Sequence, residues 1–305
     1  MREIARAQQG FFPTQDRIVR AIAVLFNLAA NQVGHVTVLD AGCGTGQAIY
    51  DLRQHWLAAA PTQSAALLGI ESEKHRYEQA ATFLARGKGG GIALWSAIED
   101  ATVDLPVSLL WFNPPYDRIR GAGRTEVALL NRVKVWPARG TSLLLMIVPD
   151  YVLADPDVGL AVAAERDYEL LDLWRYPETE YQDFKHCVLL ARRREKALNK
   201  TIMTFPRWAN EPSKWPVLRD DIKPVATLQP MLKAVTLRRT RLGNDVIVDE
   251  PVAFAQRAAA RSRRACAADW RRWYEMNVRP LSSQSPARQV DGFKALNQVL
   301  TTAFN

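Results

Sequence analysis

Val36-Thr37-Val38-Leu39-Asp40-Ala41-Gly42-Cys43-Gly44-Thr45-Gly46-Gln47 reads as a buried strand that runs into a glycine turn and opens a helix. Glycine at alternate positions lets the backbone turn tightly and approach a ligand where a Cβ would clash. A dinucleotide-binding turn carries Gly-X-Gly-X-X-Gly and leaves room for a pyrophosphate at the helix N-terminus. Here the spacing is Gly42-X-Gly44-X-Gly46, and an acid, Asp40, leads directly into the turn.

Working outward, Val36–Ala41 is the first of seven apolar runs of strand length. The others are Ala65–Glu71, Gly91–Ser96, Val107–Asn113, Ser142–Pro149, Tyr168–Tyr176 and Cys187–Arg192. Near-continuous apolar runs, rather than alternating ones, suit a sheet covered on both faces. Their alternation with segments of helical character predicts an α/β fold with a doubly wound, mostly parallel seven-stranded sheet. The last two runs are joined by Pro177–His186, too short for a helical crossover, so the last strand is expected to pair antiparallel.

The run Asp40-Ala41-Gly42-Cys43-Gly44-Thr45-Gly46 resembles the first motif of S-adenosylmethionine (SAM)-dependent methyltransferases. The resemblance implies SAM as cofactor and makes Asp40, Ala41, Gly42, Gly44 and Gly46 candidate cofactor-binding residues. Glu71, at the tip of the next strand, is the candidate acceptor for both ribose hydroxyls, with Glu73 as the fallback. Such folds carry an acid after the third strand for the adenine amine. Here Glu99 and Asp100 come several residues late, which leaves Ser96 or a backbone group for that place.

Leu109-Leu110-Trp111-Phe112-Asn113-Pro114-Pro115-Tyr116 is an apolar strand that ends in two consecutive prolines. Proline cannot continue the sheet, so the chain leaves the strand stiffly. The Asn113 side-chain oxygen and the Pro114 carbonyl are two acceptors side by side, suited to an exocyclic amino group with its two donors. Drawing on both N–H bonds tilts the nitrogen toward a tetrahedral arrangement and frees its lone pair for a methyl electrophile. Tyr116 can stack on the ring that carries the amine. Alignment then carries the catalysis, with no metal and no covalent intermediate required. Asn113, Pro114, Pro115 and Tyr116 are the candidate catalytic residues.

Together these motifs resemble the N6-adenine DNA methyltransferases of the γ arrangement, over about residues 10–195. In that family the cofactor motifs come first, then the catalytic motif, then a target-recognition region. Phe11-Phe12-Pro13-Thr14 resembles the N-terminal motif that cradles the methionine end of SAM, which adds Phe12, Pro13 and Thr14 as cofactor-binding candidates. Asn113, where cytosine-N4 enzymes usually carry Ser, implies adenine as the target. Phe184, with Tyr181 as runner-up, matches the place of a second aromatic that sandwiches the flipped base. The pattern, including Val148-Pro149-Asp150-Tyr151, is also similar to small adenine-methylase-like proteins of mobile elements. Asn-Pro-Pro-Tyr is shared with methylases of ribosomal RNA and of a glutamine amide in release factors. RNA, a protein glutamine and a catalytically silent nucleic-acid-binding protein therefore stay open as alternatives.

Charge divides the chain. Residues 200–305 hold 18 Lys/Arg against 9 Asp/Glu, whereas residues 1–199 hold 22 against 23. A near-neutral body with a basic extension fits a polyanionic partner, because Lys and Arg displace counterions from phosphates. Residues 1–199 are accordingly expected to be the methyltransferase domain. Residues 200–305 are expected to be a smaller basic region for nucleic-acid recognition, short enough to call for low specificity or a protein partner. Within it, Phe205–Pro224 is dense in Pro and Trp and reads as an irregular connector. Val235–Arg241 and Val246–Val248 read as two strands. A helix from Asp249-Glu250-Pro251 to about Met276 would set Arg257, Arg261, Arg264 and Arg271 on one side, able to track a phosphate backbone. Cys43, Cys187 and Cys266 are too few and scattered for a disulfide framework or a zinc cluster, and no metal is expected. With no signal segment and no apolar stretch of the ~18 residues a membrane span needs, a soluble, cytoplasmic protein is expected.

Overall fold

The computed structural model describes residues 13–28, 36–61, 65–86, 89–103, 106–116, 118–119, 123–154, 160–200, 211–231, 235, 237–239 and 246–248. Phe11, Phe12, Cys266 and the expected helix with its arginine stripe lie outside the described residues. Seven strands form the central sheet: β1 (Val36–Asp40), β2 (Ala65–Glu71), β3 (Gly91–Trp95), β4 (Leu109–Phe112), β5 (Leu143–Pro149), β6 (Tyr168–Arg175) and β7 (His186–Arg193). Each falls on one of the seven apolar runs to within two residues at either end.

The sheet order is β3-β2-β1-β4-β5-β7-β6. β1 to β5 are parallel, and β7 runs antiparallel to both its neighbours, as the short connection before it predicts. Alternate residues of each strand feed two separate cores. Leu39, Leu68, Leu110, Phe112 and Met146 face one side. Val38, Leu67, Leu109, Trp111 and Leu145 face the other. That two-sided burial is why the runs are apolar throughout. Helices α1 (Asp16–Ala23), α2 (Gln47–Ala59), α3 (Lys74–Ala85), α4 (Thr125–Val133), α5 (Asp150–Ala154), α6 (Leu160–Asp167) and α7 (Glu178–Phe184) complete the described body. No helix among the described residues is long and apolar enough to cross a membrane.

The order of connection reverses between β1 and β4. At such a switch point the two following helices pack on opposite faces, and a crevice opens beyond the carboxyl ends of the strands. Asp40-Ala41-Gly42 leaves β1 at this crevice and Asn113-Pro114-Pro115 leaves β4 beside it.

The described part of the C-terminal region lies against this body. Trp215 and Leu218 are buried, and Arg175 and Val217 form a parallel bridge that extends the β6 edge. Ala226–Leu228 pairs parallel with Phe26–Leu28, just after α1. Leu237–Arg239, within the expected strand Val235–Arg241, pairs antiparallel with Val246–Val248 and with Ala101–Val103 on its other side.

Candidate active site

The tips of β1 to β4 wall a cavity of about 270 Å³. From β1 and its turn come Asp40, Gly42, Cys43 and Thr45, and from β2 comes Glu71, with Arg76 of α3 behind it. β3 continues into Ser96, Ala97, Ile98 and Glu99, and β4 into Asn113 and Pro115. Pro13 and Thr14 close one side, and Thr125 and Leu129 of α4 another. Eight of the predicted residues are thus gathered in one wall: Pro13, Thr14, Asp40, Gly42, Glu71, Ser96, Asn113 and Pro115. Ala41, Gly44 and Gly46 shape the turn without lining the cavity. Pro114, Tyr116 and Phe184 also stand outside that wall.

Two glycines explain the turn. Gly42 has φ +146°, and a Cβ there would meet only Ile98 Cδ1 at 3.7 Å and the Asn113 carbonyl at 4.0 Å, so the missing side chain leaves room on the cavity side. Gly46 sits at the start of α2 with φ +77°, where a Cβ would stand 3.1 Å from Leu84 Cδ2 and 3.2 Å from Ala80 Cα of α3. Gly46→Ala is therefore expected to destabilise the protein by about 1–2 kcal/mol through left-handed backbone strain and crowding. A lower urea midpoint with an unchanged m-value would register it, and an unchanged midpoint would contradict the strain.

Glu71 is the tie between turn and helix. Its Oε2 accepts from Gly44 N at 3.0 Å, and its Oε1 accepts from Glu73 N at 2.7 Å and from the Arg76 guanidinium at 3.1 Å. A carboxylate offers about four acceptor positions, so three are engaged and one remains for a ligand. Glu73 is a helix cap: its carboxylate accepts from His75 N at 3.0 Å and Arg76 N at 2.8 Å, and these bonds pull its pKa down. That capping accounts for its absence from the cavity wall.

Asp40 is only 3 % exposed, and its Oδ1 has no hydrogen-bond partner among the described residues. Burial, and secondly the Glu71 carboxylate, hold its pKa well above the usual range. On the third strand, the Ser96 hydroxyl donates to the Ala97 carbonyl at 2.9 Å. The tight turn Ile98–Asp100 folds the late acid back, so that Glu99 also reaches the wall.

Asn113 links the cavity to an aromatic cluster. Its Nδ2 lies 3.5 Å from the Thr14 hydroxyl, and its Oδ1 accepts from the Tyr116 hydroxyl, which also lies 3.2 Å from the Ile147 carbonyl. The acceptor assigned from sequence to a substrate amine is thus held by the chain's own phenol. Thr14 also hydrogen-bonds the buried Tyr176 hydroxyl. The Tyr116 ring packs 5.3 Å from His186, which in turn stacks 5.6 Å from Phe184 at an interplanar angle of 16°. Burial pushes the His186 pKa down to about 4, so its ring is neutral at neutral pH. The runner-up Tyr181 donates its hydroxyl to Asp150. Sequence reasoning missed Arg76, Thr125, Tyr176 and His186. The last two had a local signal, because Tyr176 immediately precedes the Pro177–His186 connection and His186 closes it.

A doubly wound sheet with this strand order, and a crevice built on the β1 turn and the β4 tip, defines a SAM-dependent methyltransferase of class I. Residues 1–224 match an uncharacterised methyltransferase family (DUF6094), and the chain belongs to that family. No functionally curated protein matches it. Among solved structures, a Listeria monocytogenes protein described as a class I SAM-dependent methyltransferase has a TM-score of 0.52 at 14 % identity, over 69 % of this chain and 75 % of that one. A type I restriction-modification methyltransferase subunit from Streptococcus thermophilus has a TM-score of 0.46 at 15 % identity, over 63 % of this chain and 46 % of that one. The chain thus spans less than half the length of the restriction subunit.

SAM is the cofactor, and the cavity suits its chemistry. SAM brings an ammonium, hydroxyls and a base amine as donors. The wall offers the unpartnered Asp40 Oδ1, the remaining position on Glu71, and Glu99, around the open face of Gly42.

Proposed function

We propose that the chain methylates an exocyclic amino group, adenine N6 in DNA, on a base turned out of the helix. The observation that carries this reading is the place of Asn113, on the cofactor cavity wall with its side-chain oxygen already in a hydrogen bond to a neutral donor. Bound SAM supplies an electrophilic methyl group on a positive sulfur. The chain's part is to hold the amine: Asn113 Oδ1 and the Pro114 carbonyl accept its two N–H bonds. Tyr116 must release Oδ1 for this, and the Ile147 carbonyl within reach of its hydroxyl gives that proton another acceptor. The nitrogen gains the methyl group and loses one proton to solvent.

Adenine is favoured by Asn at the head of the tetrapeptide, and a nucleic acid by the basic excess after residue 199. In this reading residues 1–199 carry the chemistry. Residues 200–305 contribute phosphate contacts, with specificity low or lent by a partner protein. The test is transfer of labelled methyl from SAM to unmethylated DNA, to RNA and to protein extract, followed by nucleoside analysis. Label in DNA as N6-methyladenine is expected. Label confined to RNA or protein would replace the substrate, and none in any arm would leave a binding protein.

A further inference from the structure

Four large hydrophobic side chains are exposed among the described residues: Trp95, Val135, Tyr151 and Phe184. The three aromatic ones all sit at the carboxyl end of the parallel strands, the end at which the cofactor cavity lies: at the end of β3, just after β5 and just before the antiparallel β7. Trp95 is accounted for locally: its ring stacks on Tyr77, its Nε1 donates to the Ser72 carbonyl, and Lys74 stands over it. Phe184 stacks one face on His186, and Tyr151 is approached by Arg124, yet both rings stay exposed. Pro149 and His186 are register partners, and Asp150 N donates to the Lys185 carbonyl at 2.7 Å. Tyr151, second residue of α5, and Phe184, last residue of α7, therefore each lie one residue beyond that Asp150–Lys185 contact.

Tyr151 is 54 % exposed, yet it is built in place. The Arg124 guanidinium stands 5.8 Å from its ring centre. That guanidinium is gripped by Glu126, with Nη2–Oε1 at 2.7 Å and Nε–Oε2 at 3.2 Å, and Glu126 is fully buried. A buried carboxylate is costly unless paired, so this pair is fixed, and it fixes the plane that lies over the tyrosine. The same helix, α4, lends Thr125 and Leu129 to the cavity wall. Glu126 and Tyr151 both lie close enough to Tyr116 to influence its hydroxyl. Tyr116 itself packs its ring against His186 and turns its hydroxyl inward. A cation adjoins the aromatic pair: Lys185 follows Phe184, its ammonium 4.8 Å from the Tyr181 ring centre.

We propose that Tyr151, buttressed by the Arg124–Glu126 pair, is a stacking platform for a nucleobase at the mouth of the site, with Phe184 as the neighbouring aromatic. This rests on the reading that the acceptor is a nucleic acid. The platform is preorganised, because the ring is held before any base arrives, and a base–aromatic stack tolerates any sequence. The Arg124 charge is already neutralised by Glu126, so the pair acts through the ring and not through phosphate.

The test is fluorescence anisotropy with an end-labelled single-stranded DNA of mixed sequence, about 16 nucleotides long, to cover the site of one stacking groove. S-adenosylhomocysteine is present to prevent turnover, and SAM binding is measured in parallel by calorimetry. Tyr151→Ala is expected to weaken oligonucleotide binding about tenfold, and Tyr151→Phe to stay within about twofold of the native protein. Glu126→Gln is expected to weaken binding with no change in the slope of log affinity against log salt, since no phosphate contact is lost. All three are expected to bind SAM as the native protein does. Native oligonucleotide affinity in Tyr151→Ala, equal losses in the Ala and Phe variants, or a parallel loss of SAM affinity would each overturn the platform and leave the nucleic-acid reading standing. A native protein that binds SAM but not the oligonucleotide would overturn both.

Discussion

Asn113→Ala is expected to slow methyl transfer by about 10²–10³-fold while leaving SAM affinity within about threefold of native, the size seen when one preorganised hydrogen-bonding group is removed from a reacting centre. The substitution deletes the one side-chain acceptor assigned to the amine, so the nitrogen keeps only the Pro114 carbonyl and its lone pair is less well aimed. The fold should survive. The Tyr116 hydroxyl loses Asn113 Oδ1 but still has the Ile147 carbonyl at 3.2 Å, and the contact from Asn113 to Thr14 is long, at 3.5 Å. Single-turnover transfer with saturating SAM reads the chemical step directly, and a calorimetric SAM titration on the same preparation separates chemistry from binding. A variant that transfers at the native rate would mean that the amine is held elsewhere, and the tetrapeptide would then be only a rigid turn.

Much of this site could be read before the chain was folded, because its parts are local. A strand buried on both faces must be apolar at every position, and that marked Val36–Asp40 and Leu109–Phe112 as central strands. Turn chemistry marked Gly42 to Gly46, and paired prolines marked the exit from β4. What was hidden depends on contacts between segments far apart in sequence. Glu73 stands in sequence as the fallback to Glu71 for the ribose, and only the start of α3 shows that its carboxylate accepts from two helix amides. Glu99 looks too late in sequence until a single tight turn brings it back to the wall. The partnership of Arg124, Glu126 and Tyr151 joins α4 to the tip of β5, and nothing in the local pattern of either segment announces it. The same holds for the tail: Trp215 and Leu218 are spaced as in any irregular connector, and their burial depends on an edge of β6 that was free to receive them.

Asp40→Asn is expected to weaken SAM binding by about tenfold to a hundredfold without destabilising the free protein, a dissociation that follows from burial. In the free protein the Asp40 carboxyl lies under the β1 turn with Oδ1 unpartnered, and burial together with Glu71 raises its pKa. The folded state therefore holds a proton that the unfolded chain gives up near its ordinary pKa of about 3.9. Between that value and the raised one the native state binds more protons, so the stability of the free protein falls as pH rises through the window. A cofactor that brings positive charge favours the ionised form. Its binding should expel a proton within the same window, and its affinity should rise with pH and level off above the raised pKa. Asparagine keeps the shape and removes the charge. The fall in stability should become shallower, proton release on binding should shrink, and SAM should lose a charge-assisted partner. Urea unfolding between roughly pH 5 and pH 8 reads the first effect. Calorimetric titrations in two buffers of different ionisation enthalpy count the protons for the second. Native SAM affinity with undiminished proton release in Asp40→Asn would place the titrating group elsewhere, and the orphaned oxygen beneath the turn would have no part in holding the cofactor.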